Sequence, residues 1–186
     1  MYGNKVRLTG IIKSKRKTER EGEFKYSVLT NEKDSYRAGV CAGDGFEKGD
    51  LVRVEGRLKY VRRTETRSPH ILIKATSIEK IDSNRKPENE TVLSGRVSSI
   101  GTPKKGGAGK TYRSFMIDCG GGASIPCSAT GENVKKLRKN MNLTVKGSLR
   151  QRTVSDWDFG ERDLQEVSIR RWKRTDAEEN RSEKPA

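Results

Sequence analysis

A short glycine-centred β pattern is written twice in this chain, and that duplication limits the folds open to it. Val52-Arg53-Val54-Glu55-Gly56-Arg57-Leu58 matches Leu143-Thr144-Val145-Lys146-Gly147-Ser148-Leu149, and Leu8-Thr9-Gly10-Ile11-Ile12 matches Leu93-Ser94-Gly95-Arg96-Val97. In each match apolar residues alternate with polar ones, the period of a strand with one dry and one wet face. A glycine inside such a strand marks a bulge or sharp bend, as a small closed barrel requires. Repetition at this spacing implies one module built twice in tandem. The first wet face carries Arg53, Arg57 and Lys59, followed by Tyr60, Arg62 and Arg63.

The first copy reads as five strands: Lys5–Lys13, Phe24–Thr30, Tyr36–Ala42, the glycine strand after Lys48-Gly49-Asp50, and His70–Ile81. The stretch 83–90 holds no apolar side chain except Pro87 and reads as a linker between units 1–82 and 91–174. The second copy repeats the order with strands Thr111–Asp118, Ala123–Ser128, the second glycine strand and Leu164–Trp172. It adds Glu132–Lys139, where Val134, Leu137 and Met141 share a helical face, so a short helix is expected between its third and fourth strands. Residues 175–186 are polar and aperiodic, and disorder is expected there. The fold class is therefore mainly β, two tandem five-stranded barrels.

Charge narrows the function. Lys and Arg number 40 against 25 Asp and Glu, a net +15 with a pI near 9.9, which attracts polyanions. Residues 1–86 hold 21 cations against 12 acids and residues 87–186 hold 19 against 13, so each half is expected to carry an anion-facing surface. No segment approaches the roughly 20 apolar residues of a membrane span. The N-terminus has no apolar signal-peptide core, and an intracellular, cytoplasmic location is the expectation. Cys41, Cys119 and Cys127 with the single His70 supply no standard metal-ligand spacing, so no metal and no cofactor are expected. Gly106-Gly107-Ala108-Gly109-Lys110-Thr111 resembles part of a phosphate-binding loop, but Lys104 stands where that motif needs its first glycine, and a strand follows where it needs a helix. With one histidine and scattered carboxylates, catalysis is not expected.

A nucleic acid is held by cations on its phosphates and, where its bases are open, by flat rings. The first copy offers Lys13, Lys15, Arg16 and Arg20 around its first loop, Arg37 on its third strand, and Arg57, Lys59, Arg62, Arg63 and Arg67 along its fourth strand and hairpin. Its candidate rings are Tyr26, Tyr36 and Tyr60, the last also fitting the core by parity. The second copy offers Arg96, Lys104, Lys105, Lys110, Arg113, Arg150, Arg152 and Arg171 as cations, and Tyr112, Trp157, Phe159 and Trp172 as rings. Trp172, at a strand end, fits either stacking or a cap on the barrel.

Five strands with a bent glycine strand first describe an OB-fold, which binds oligonucleotides across its second and third strands. Asn4-Lys5-Val6-Arg7-Leu8-Thr9-Gly10, Tyr36-Arg37-Ala38-Gly39-Val40 and Lys48–Leu58 resemble the matching strands of bacterial-type single-stranded DNA-binding proteins. The resemblance covers most of residues 4–82 and reaches 91–172 through the repeat. It implies a non-enzymatic protein that coats single-stranded DNA with little sequence preference in replication, recombination or repair. It further implies a homodimer with four OB-folds, and replication or recombination proteins as partners. The family usually has a tryptophan where this chain has Val61-Arg62-Arg63, which shifts the expected weight from stacking toward charge. An RNA-binding OB protein, a protein-assembly module and a nuclease are the alternatives.

Overall fold

The computed structural model describes residues 2–30, 36–62, 69–105, 109–156 and 160–175. Among the described residues eleven strands run in chain order: β1 (Gly3–Lys17), β2 (Phe24–Thr30), β3 (Arg37–Ala42), β4 (Leu51–Val61), β5 (His70–Lys80), β6 (Asn89–Ile100), β7 (Lys104–Lys105), β8 (Thr111–Asp118), β9 (Ser124–Thr130), β10 (Asn142–Asp156) and β11 (Gly160–Arg174). The sheet order is β2-β3-β5-β4-β1-β6-β10-β11-β9-β8-β7, with β2–β1 and β6–β8 as closing pairs. Two five-stranded barrels result, β1–β5 and β6 with β8–β11. Each has one parallel pairing, β3 with β5 and β9 with β11. This is the duplicated barrel that the sequence predicts.

The glycines do what their positions require. In β4 and β10 the register slips between Glu55 and Gly56 and between Lys146 and Gly147, so that Thr76 and Arg170 bulge from the partner strands. Val52, Val54 and Leu58 point inward at 0–2% exposure. Arg53 is tied to Glu88 (2.9 Å) and lies near Glu79 and Glu55 (each 3.4 Å), so it belongs to a surface ion network.

The barrels are joined edge to edge. β1 pairs antiparallel with β6 so that Val6 faces Thr91, while Asn4 faces Leu93 and Leu8 faces Asn89. Leu8 and Leu93 are repeat partners 85 residues apart. By the same offset Val6 meets its own counterpart, which places a quasi-twofold axis at that pair. Asn4 and Asn89 obey it: the Asn4 side chain both donates to the Leu58 carbonyl and accepts from the Leu58 amide (2.8 and 2.9 Å). Asn89 does the same to Leu149 (2.9 Å each). Asn89 and Glu90, expected in a linker, are therefore the first residues of β6, because this amide clamp needs Asn89 in register.

Two further expectations are corrected. The stretch 132–139 forms a 3-10 turn over Glu132–Lys136 and no α-helix. Gly131 at φ 103° and Asn140 at φ 70° bracket it, leaving too few residues for stable α-turns. Val134, Leu137 and Met141 are buried nonetheless, at 0–8% exposure. Lys104 and Lys105, expected in an open loop, pair with Tyr112 and Thr111 as the short β7.

One contact from the β10–β11 hairpin reaches back to the first barrel. The Gln165 side-chain oxygen accepts from the Tyr36 hydroxyl (3.2 Å) and the Ile71 amide (2.8 Å). Gln165→Ala would leave the buried Tyr36 hydroxyl without this partner, at a cost of about 1–3 kcal/mol. A lower thermal midpoint checks this, and an unchanged midpoint would contradict it.

Candidate nucleic-acid interface

Strand alternation sorts the first barrel's side chains. Tyr26, Val28, Ala38, Val40, Ile71 and Ile73 point inward at 0–1% exposure. The residues between them, Lys25, Arg37, Gly39, Cys41, His70, Leu72 and Lys74, form the outer face of β2, β3 and β5. Arg57 and Lys59 extend this face from β4, where Arg57 pairs across the sheet with Lys74 and Lys59 with Leu72. Two like charges in direct cross-strand register are unfavourable alone and favourable beneath an anion.

A trough runs along this face. One part of it, about 710 Å³, is lined by Arg57, Lys59, Leu72, Lys74, Arg20, Glu23 and Cys41 from the first barrel, and by the Gly120–Gly122 turn from the second. It continues over Arg16, Lys17, Lys25 and His70, and then past Arg37 and Gly39 to Gln165. Arg20, Glu23, Cys41 and Leu72 line both of the first two segments, so the trough is continuous. Burial and then the Glu23 carboxylate push the Cys41 thiol up, and Lys25, Arg20 and Lys59 pull the other way, so one acid and three cations lie around it. Arg37, Arg57, Lys59 and Lys74 are exposed and form no ion pair with any described acid.

Several predicted site residues take other positions. Tyr26 is fully buried and donates its hydroxyl to the Gly43 carbonyl (2.8 Å). Tyr36 is 1% exposed, and burial pushes its hydroxyl well above the usual tyrosine range. Neither ring can stack on a base. Tyr60 is half-buried against the core. Lys15 is held by Asp44 (2.7 Å) and Glu47 (2.6 Å) and lies over the Phe24 ring. Hydrogen bonds to Asp44 and then Glu47 raise it well above an ordinary lysine, so its charge is already matched. Lys13 is half-buried and Arg62 exposed, and neither lines the trough. Arg63, Arg67, Trp157 and Phe159 lie outside the described residues.

In the second barrel Arg113 turns toward the barrel end and donates to the carbonyls of Gly101 (2.7 Å) and Leu137 (2.9 Å), a structural role. Arg150 and Arg152 both reach the Glu166 carboxylate oxygen (2.7 and 3.0 Å), which also accepts from the Ser128 hydroxyl (2.7 Å). Arg152 lies 5.8 Å from the centre of the half-buried Tyr112 ring. Lys104, Lys105 and Lys110 are exposed beside Tyr112, and Arg96 is exposed on β6. Trp172 packs partly against the core and lines a separate hollow with Arg170, Arg171 and Lys136. Among the described residues no group of three or more His, Cys, Asp and Glu could hold a metal, and no helix is long and apolar enough to cross a membrane.

Sequence reading missed Lys25, Leu72, Lys74 and Cys41. Their parity opposite Tyr26, Val40 and Ile73 carried the signal.

No protein-family model and no curated protein matches the chain. Solved structures do. The single-stranded DNA binding protein from Thermus aquaticus superposes with a TM-score of 0.71 at 20% identity, covering 100% of this chain and 96% of that one. A deletion mutant of the same protein gives 0.70 at 19% identity, with 93% and 94% covered. Over its whole length the chain thus has the OB-fold architecture of those single-stranded DNA-binding proteins.

Proposed function

We propose that this protein is a non-enzymatic single-stranded DNA-binding protein. It coats exposed strands with little sequence preference in replication, recombination or repair. The observation that carries this reading is the trough across β2, β3 and β5, where Arg37, Arg57, Lys59 and Lys74 have no acidic partner among the described residues, although Glu19 and Glu23 also line it. That face is where an OB-fold holds oligonucleotides. Solved structures with the same architecture are of single-stranded DNA binding proteins, which supports the same conclusion. With Tyr26 and Tyr36 buried, the first barrel holds the strand mainly through phosphates, and flat contacts come from Leu72 and the backbone at Gly39. Such a face reads charge and shape, so base identity matters little. Association of two chains, bringing four barrels together, and an intracellular setting suited to three free thiols belong to the same proposal.

The test is anisotropy titration of labelled oligo-dT, RNA and duplex DNA of equal length at several salt concentrations. Oligo-dT is expected to bind more tightly than duplex, with affinity falling by about 0.7 log unit per log unit of salt for each phosphate held. Absence of single-strand binding at low salt would contradict the reading.

A further inference from the structure

We propose that the two barrels hold a single strand unequally: the sheet face of the first takes the phosphates, and Glu166 keeps the matching face of the second electrically quiet. This rests on the single-strand reading above and says where within the chain that activity resides.

Register makes the two faces comparable position by position. Gly56 and Gly147 sit at the same slip in the fourth strand of each barrel. Ile12 and Val97 precede the same bulge in the first strand. Counting from these marks, Lys25 corresponds to Ser114, Arg37 to Ser124, Arg57 to Ser148 and Lys74 to Ser168. Four cations of the first face are four serines of the second. Lys59 alone has a cationic counterpart, Arg150, and its cross-strand neighbour Leu72 corresponds to Glu166.

That last exchange decides the charge. Arg150 donates to the Glu166 oxygen through two nitrogens (2.9 and 2.7 Å), and Arg152 donates through Nε (3.0 Å). The Glu166 side chain is 1% exposed, while those of Arg150 and Arg152 keep 36% and 29%. The guanidiniums therefore cover the carboxylate, and the cluster presents one net positive charge where two arginines stand. A phosphate approaching it must compete with a buried counter-ion that is already hydrogen-bonded. On the first barrel Leu72 takes the corresponding strand position beside Lys59, and the carboxylate lining that part of the trough, Glu23, comes from the turn before β2. Among the second barrel's other cations, Lys104 and Lys105 form β7 and Lys110 precedes β8, and none of the three stands at a position matched to the cations of the first face.

The experiment uses the full chain, labelled oligo-dT and several salt concentrations. Glu166→Gln keeps the shape and removes the counter-charge. It is expected to tighten binding about threefold or more and to steepen the salt slope by about 0.7, the increment of one added phosphate contact. A merely structural carboxylate would give equal or weaker binding, and that result in a folded variant overturns the proposal. The reciprocal change, Leu72→Glu, places the counter-ion on the first face and is expected to weaken binding about tenfold with a shallower slope. Leu72→Gln controls for lost apolar contact and is expected to stay near the parent protein. Equal affinities for the two Leu72 variants overturn the proposal, and this pair decides the matter alone if Glu166→Gln does not fold. Failure of the parent protein to bind oligo-dT is a different result, which removes the single-strand reading itself.

Discussion

Replacing Gly95 by alanine is expected to destabilise the second barrel strongly. The added methyl would stand 2.0 Å from the Asp118 carbonyl oxygen and 2.8 Å from its carbon. Gly95 lies where β6 pairs with Leu143 of β10 on one side and passes to β8 on the other, at Arg96 against Asp118. The Asp118 backbone of β8 stands directly behind it while β10 holds β6 along its other edge, so the clash cannot be relieved without disturbing a ladder. Overpacking of this kind costs about 3 kcal/mol or more. Against a total stability of about 5–15 kcal/mol, that is a large share, equal to roughly a 10 °C fall in thermal midpoint for a chain of this size. Gly43→Ala is the control: nothing lies within 4 Å of the added methyl, and no change is expected. Equal midpoints for the two variants would contradict the tight closure described for the barrels.

Stripping charge from the trough is expected to have the largest effect on binding. Arg37, Lys59 and Lys74 are exposed and lack acidic partners among the described residues, so changing all three to alanine leaves the fold intact. If each holds one phosphate of a single strand, the salt slope falls by about 0.7 per contact, or about 2 for the three. Affinity at low salt falls on the order of a hundredfold. Lys15→Ala serves as the contrast. It is expected to change affinity little, because Asp44 and Glu47 already match that charge. A loss in Lys15→Ala as large per charge removed as that in the triple variant would show that net charge, and not the trough, attracts the strand.

Much of the fold could be read from residue order. Period-two alternation located the strands, and the glycines at 10, 56, 95 and 147 located the bends, because only glycine tolerates a carbonyl so close behind it. The candidate site was less legible. Tyr26 and Tyr36 share parity with Val28, Ala38 and Val40, so alternation already placed them inside, yet ring chemistry argued for stacking. Parity is the stronger constraint, since one reversed side chain would reverse a whole strand. Lys15 looked free because its partners Asp44 and Glu47 come from a distant loop. Arg113 shares inward parity with Phe115 and Ile117, and its length carries the guanidinium out of the barrel end to backbone carbonyls. Glu166 was invisible as a counter-ion. Its meeting with Ser128 and Arg150 depends on the register of three strands, which no single stretch of sequence states. The 3-10 turn at Glu132–Lys136 keeps the apolar spacing of a helix while lacking the length to form one.

Alkylation of the cysteines, with and without saturating oligo-dT, tests the central claim most directly. Cys41 lies half-exposed in the trough among Glu23, Lys25, Arg20 and Lys59. Cys119 and Cys127 are buried; burial pushes the Cys119 thiol up to about 12 and holds the Cys127 thiol well above the usual range, so both report only on unfolding. The expected result is modification of Cys41 alone in the free protein, and severalfold slower modification once the strand is bound. An unchanged Cys41 rate in a sample shown by anisotropy to be saturated would place the strand elsewhere and contradict the assignment of this face.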